Sequence, residues 1–129
     1  MTTEFRNEPF TDFSNEENAN AMRAALAKVQ SELGREYPLV IGGERIETGA
    51  KLDSINPANR TQVVGSFHKA TKELANKAVE SAATAFQNWR NTSAQERADL
   101  LFRAAAILRE RKHELSAWMI HEVAKTWPE

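Results

Sequence analysis

The chain has 129 residues, with 17 Lys and Arg against 18 Asp and Glu, a net charge of −1 and no cysteine. That near-balance leaves no basic field to attract nucleic acid or an acidic membrane surface, and no apolar run approaches the roughly 20 residues needed to cross a bilayer. Without cysteine there are no disulfides, thiolate metal sites or cysteine nucleophile.

Residues 1–13 (MTTEFRNEPFTDF) combine Pro9 with Phe5, Phe10 and Phe13 without any period, and read as an extended arm. They lack the basic-then-apolar order of a secretory signal. Without such a signal, the triplets Asn59-Arg60-Thr61 and Asn91-Thr92-Ser93 read as chance glycosylation matches. Ser14-Asn15-Glu16-Glu17 has capping-box spacing, with Ser14 as the expected cap and Glu17 as its return partner. Ala21, Met22, Ala25, Leu26, Val29 and Leu33 then recur at intervals of three and four, which predicts a helix over 15–33 with one apolar face. Gly34 supplies a left-handed stop and Pro38 forbids continuation.

Short strands are expected within 39–67. Leu39-Val40-Ile41, Gly42-Gly43 and Glu44-Arg45-Ile46 form a hairpin pattern. Lys51–Ile55 alternates before Asn56-Pro57, and Gln62–Phe67 carries Gly65 as a bulge or close-approach position. Thr71 is the expected N-cap of a helix over 72–90, whose stripe runs Leu74, Ala75, Ala78, Val79, Ala82, Ala83, Phe86 and Trp89. The small residues on that face read as packing. Asn91 and Thr92 break the pattern, and Ser93-Ala94-Gln95-Glu96 opens a second capping box. The last helix, 94–124, exceeds the usual globular length, so a kink is expected near 109–113. A helix, antiparallel strands and two long helices make an α+β order rather than a βαβ alternation.

Candidate chemistry is sparse. Glu110-Arg111-Lys112-His113 has the Glu-x-x-His spacing of helical-bundle di-iron sites, but those need two such motifs and two further glutamates. A solvated helix face is the better account. His113 and His121 lack a third ligand, and His68 reads as a satisfied or exposed histidine at a strand end. Arg109, Arg111 and Lys112 are interleaved with Glu110 and Glu114, as in a salt-bridged face. Gly42-Gly43 lacks the spacing of a phosphate-cradling loop. From these residues no catalytic, cofactor-binding or metal-ligating position is assigned.

Read together, several segments closely resemble the opening of aldehyde dehydrogenases: Ser54-Ile55-Asn56-Pro57-Ala58, Val64-Gly65, Ala78-Val79, Ala82-Ala83, and Ala85-Phe86 leading to Trp89. The resemblance continues through Glu96-Arg97, Leu100-Leu101, Ala104–Leu108, Glu114-Leu115 and Glu122-Val123-Ala124-Lys125. Phe5–Phe10, Tyr37–Glu44 and Lys125-Thr126-Trp127 narrow it to the bacterial 1-pyrroline-5-carboxylate dehydrogenases. The resemblance implies a cytoplasmic, homo-oligomeric enzyme. It would oxidise a small molecule, L-glutamate γ-semialdehyde, to glutamate with NAD in proline breakdown, without nucleic acid or membrane partners. In that family a cysteine thiolate attacks the aldehyde, hydride passes to the nicotinamide, and water activated by a glutamate releases the acid. None of those residues can be placed on this chain. Residues 14–129 are therefore expected to be an incomplete N-terminal part of the NAD-binding domain, inactive alone. Two alternatives are a helical module docking on a full-length dehydrogenase or another partner, and a stand-alone helical metal protein. Where the family usually has Glu-x-Gly-Lys this chain has Ala124; in a positive-φ helix end an alanine there is strained by about 1 kcal/mol.

Overall fold

A computed structural model describes residues 4–129, so Met1, Thr2 and Thr3 of the expected arm lie outside the described residues. From Glu4 to Phe13 the chain forms no helix or strand. The first helix, α1, spans Glu16–Gln30. Its cap differs from the expected one: the Asn15 side chain accepts from the Glu17 N–H at 2.8 Å. Ser14 is diverted, because its own N–H and hydroxyl both donate to Asp12 Oδ1, at 2.9 and 2.7 Å. The helix also stops three residues short of position 33. Ser31 N–H bonds back to both Ala27 and Lys28, and Glu32 N–H to Val29, a tightening turn that closes on Gly34 at φ +78°.

Strand β1 (Arg35–Tyr37) was not expected. It pairs in parallel with β5 (Val63–His68), whose other edge pairs antiparallel with β4 (Lys51–Ile55). The three-stranded sheet β1-β5-β4 is therefore mixed, which corrects the all-antiparallel expectation. Its register slips at Ser54/Ile55, so that Val64, next to Gly65, lies between successive paired residues. Gly65 is needed for close approach: a Cβ there would sit 2.8 Å from the Tyr37 ring, which itself stacks on Phe67 at 5.1 Å. The hairpin of β2 (Leu39–Ile41) and β3 (Glu44–Ile46) forms as expected. Gly42 and Gly43 both take positive φ, the requirement of a tight two-residue turn whose twist matches its strands.

Helix α2 (Lys72–Trp89) is capped by Thr71, whose hydroxyl accepts from Leu74 N–H. It rests on the hairpin through Ser81, opposite Gly42, and through a Lys77–Glu44 ion pair of 2.9 Å. Helix α3 (Ala94–Glu110) opens with the Ser93–Glu96 capping box formed in both directions. The expected kink is a break at Arg111, after which α4 (Lys112–Val123) begins. Ala124 then takes the left-handed conformation, φ 54° and ψ 36°, and its N–H closes the helix on Ile120 O.

The packed centre lies between α1 and α4. Met22, Val29 and Ala117 are fully buried there, with Phe13, Leu26, Trp118, Ile120 and Trp127 around them. Helices α2 and α3 bury no residue fully. Val79 is 69% exposed and Leu101 72%, so the stripes that the sequence marks for packing are open to solvent in this structure.

Candidate functional site

Three polar groupings stand out on this scaffold. At the end of β5, His68 is buried, with Nδ1 2.7 Å from Thr48 N and 2.8 Å from Thr48 O. When Nδ1 accepts from the Thr48 N–H, the ring proton rests on Nε2, which faces the Glu36 carboxylate at 3.6 Å. Glu36 is held below the usual carboxylate range, first by its 2.6 Å hydrogen bond from Lys51. The Thr48 hydroxyl donates to Ala50 O or to Lys69 O, both at 3.0 Å. This grouping ties β1, β4 and β5 together, and it satisfies His68 as a structural histidine.

The second grouping centres on Glu114 in the first turn of α4. It accepts from Arg111 at 2.7 and 3.3 Å and pairs with Lys28 of α1 at 3.0 Å. These contacts pull its carboxyl down to about 2, led by the Arg111 hydrogen bond. The pair spans the α1–α4 packing. Sequence reasoning placed Glu114 on a salt-bridged face but did not find Lys28, whose only signal is its place on another helix.

The third grouping is Glu8 with Arg109 (3.1 Å) and Lys112 (3.7 Å). With Arg111 on Glu114, every cation of the run 109–112 is thus matched to an acid, but for Arg109 and Lys112 that acid is Glu8 of the arm and not the interleaved Glu110. His113 does not meet Glu110 in a site; its ring lies 6.5 Å from Phe13. His121 presents a buried Nε2 without a hydrogen-bond partner. Among the described residues no group of three or more His, Asp or Glu is placed to hold a metal ion.

The concave surfaces differ in chemistry: one beside the arm is lined by Glu8, Lys112, His113, Ser116, Trp127 and Glu129 and is about as polar as apolar, whereas others are open and apolar. One of about 460 Å³ at the α2–α3 turn is lined by Ala82, Ala85, Phe86, Asn88, Trp89 and Thr92. It offers no acid, base or cation. The arrangement has the chemistry of a scaffold: ion pairs across element boundaries, a packed helix pair, and two apolar faces.

The model of the aldehyde dehydrogenase family matches residues 45–129. The chain is 59% identical over its whole length to 1-pyrroline-5-carboxylate dehydrogenase of Geobacillus kaustophilus, and 54% to 1-pyrroline-5-carboxylate dehydrogenase 2 of Bacillus subtilis. It spans about a quarter of the length of the curated relatives it matches, 25% in both cases. The fold superposes on 1-pyrroline-5-carboxylate dehydrogenase from Thermus with bound NAD, with a TM-score of 0.94 at 46% identity, over 99% of this chain and 25% of that one. The Mycobacterium tuberculosis Δ-pyrroline-5-carboxylate dehydrogenase bound with NAD gives 0.84 at 27% identity, over 93% of this chain and 23% of that one. The family model covers more than half of the chain, from the end of the hairpin through α4, and the mixed sheet and helix order agree with it: the chain belongs to the aldehyde dehydrogenase family.

Proposed function

We propose that these residues serve as the lead-in part of the cofactor-binding domain of an NAD-dependent dehydrogenase that oxidises L-glutamate γ-semialdehyde to L-glutamate. The observation that carries this reading is whole-chain identity above 50% to enzymes named 1-pyrroline-5-carboxylate dehydrogenase. In the same reading, residues 4–13 are an arm and residues 14–129 belong to one incomplete domain. The parent enzyme works in the cytoplasm as a homo-oligomer on a small molecule, without nucleic acid or membrane partners. Near-zero net charge speaks against a nucleic-acid partner, and no helix among the described residues is long and apolar enough to cross a membrane.

The concavity at the α2–α3 turn does not by itself fit NAD. A dinucleotide needs backbone N–H groups or cations converging on its diphosphate. The α2–α3 concavity instead presents alanines, two aromatic rings, Asn88 and Thr92. No reaction step is therefore assigned to residues of this chain, and alone it is inactive. Its role is to hold α2 and α3 with their apolar faces outward, ready to be covered by further family structure.

The test is a chimera. These 129 residues replace the matched quarter of the Geobacillus kaustophilus enzyme, and NADH formation with glutamate semialdehyde is followed. The chimera turns over and the 129-residue chain does not. Turnover by the chain alone, or a folded but inactive chimera, overturns the reading. The exposed stripes of α2 and α3 also favour a second role, as a module docking on a full-length dehydrogenase. Co-purification of the two supports that role, and a monomer that binds no such subunit removes it.

A further inference from the structure

The two long C-terminal helices meet at a single residue. Arg111 (φ −97°, ψ 17°) ends α3 and precedes α4, and no side chain caps the start of α4. The two sides of this joint are held very differently. Helix α4 is fixed to α1 by the Met22–Val29–Ala117 core and by Glu114–Lys28. Helix α3 buries no residue fully, and among the described residues its one ion pair to another segment is Arg109 with Glu8.

We propose that residues 8–13 form a releasable strap that sets the angle of α3 against the α1–α4 core, with Glu8 as its buckle. The base of the strap is firm. Phe13 packs into the α1–α4 centre, edge-on to Trp127 at 5.3 Å, and Asn18 of α1 donates to Asp12 O at 2.9 Å. The far end spans the joint. One Glu8 oxygen takes Arg109 from the last turn of α3 (3.1 Å), and the other faces Lys112 from the first turn of α4 (3.7 Å). Lys112 also donates to Pro9 O at 3.3 Å, so the backbone beside the buckle is held as well. A single carboxylate thus takes one cation from each side of the break. Arg109 is 63% exposed and Glu8 50%. Pairs of this kind are individually weak and salt-sensitive, so the strap is closed at low salt and is released by high salt or by loss of Glu8.

The absence of cysteine makes the test clean. Spin labels on Ala24→Cys in α1 and Arg103→Cys in α3, both exposed positions, report the interhelical distance without background. At low salt the otherwise unaltered chain gives one narrow distribution. Glu8→Gln broadens it, 1 M NaCl does the same, and the full charge reversal, Glu8→Arg with Arg109→Glu and Lys112→Glu, narrows it again. Amide exchange over 94–110 rises about 1.4- to fivefold in Glu8→Gln, the range for losing a weak surface clamp, while α1 is unchanged. Glu4→Gln, which removes only a local pair with Arg6, leaves both readouts alone. An unchanged distribution in Glu8→Gln overturns the proposal. So does exchange that rises equally in α1 and α3, which would mark general destabilisation.

Discussion

Ala124 stands where a helix stop usually takes glycine, and the backbone bears the consequence. It is the one non-glycine among the described residues at positive φ, and it sits on the left-handed stop of α4. An L-residue there carries about 1–2 kcal/mol of steric cost between Cβ and the following carbonyl. Glycine removes that cost but gives back about 0.4–1 kcal/mol through the greater freedom of the unfolded chain. The net expectation for Ala124→Gly is a gain of about 0.5–1 kcal/mol, or about 2–4 °C in Tm for a domain of this size. The stop is worth keeping, because it returns the chain so that Trp127 reaches Phe13. Thermal unfolding followed by circular dichroism measures the shift. Ala24→Gly, at an exposed position inside α1, is the control of opposite sign and lowers stability by about 0.5–1 kcal/mol. If Ala124→Gly is neutral or destabilising while the control behaves, the strain argument is refuted.

Acid should loosen the α1–α4 pair through Glu114. Its carboxyl titrates near 2 in the folded chain against 4.5 for the free group, so its contribution is complete above about pH 4.5 and is lost as pH falls toward 2. Urea midpoints across that window fall less steeply in Glu114→Gln; an identical slope contradicts the assignment. Gly65→Ala places a methyl 2.8 Å from the Tyr37 ring and lowers stability by about 1–3 kcal/mol, read in chemical denaturation. Unchanged stability would mean that Tyr37 moves freely. Gly42→Ala meets both a positive φ and Ser81 Oγ at 2.9 Å, so it loosens α2 on the hairpin. Hydrogen exchange in 72–89 rises, and Ser81→Ala restores part of the protection; no rise removes the contact from the account.

Much of this architecture could be read from local pattern. Thr71 and Ser93 were legible as caps because a cap needs only a hydroxyl and the N–H three residues on. Gly42-Gly43 was legible as a turn because few other pairs take two positive φ values. At Ser14 the same logic failed. Asp12, two residues earlier, offers a charged acceptor, takes both Ser14 donors, and leaves Asn15 to cap α1. Strand β1 was hidden for a different reason: Arg-Glu-Tyr has no alternation, and its partner lies about 30 residues away on β5. Local pattern carries no information on strand direction, so the parallel pairing could not be seen. The stripes on α2 and α3 were legible as positions, whereas their cover is a property of neighbouring structure. Glu114 with Lys28, and Glu8 with Arg109, join segments far apart in sequence, beyond the reach of spacing rules.

The central claim is that α2 and α3 present apolar faces that residues 4–129 do not cover. Binding of a hydrophobic dye, with sedimentation to report association, tests it on the isolated chain. Strong dye fluorescence is expected, and it falls when Val79 and Leu101 are both replaced by Asp while the helical signal stays. A dye-silent monomer whose α2 and α3 amides exchange as slowly as those of α1 would contradict the account.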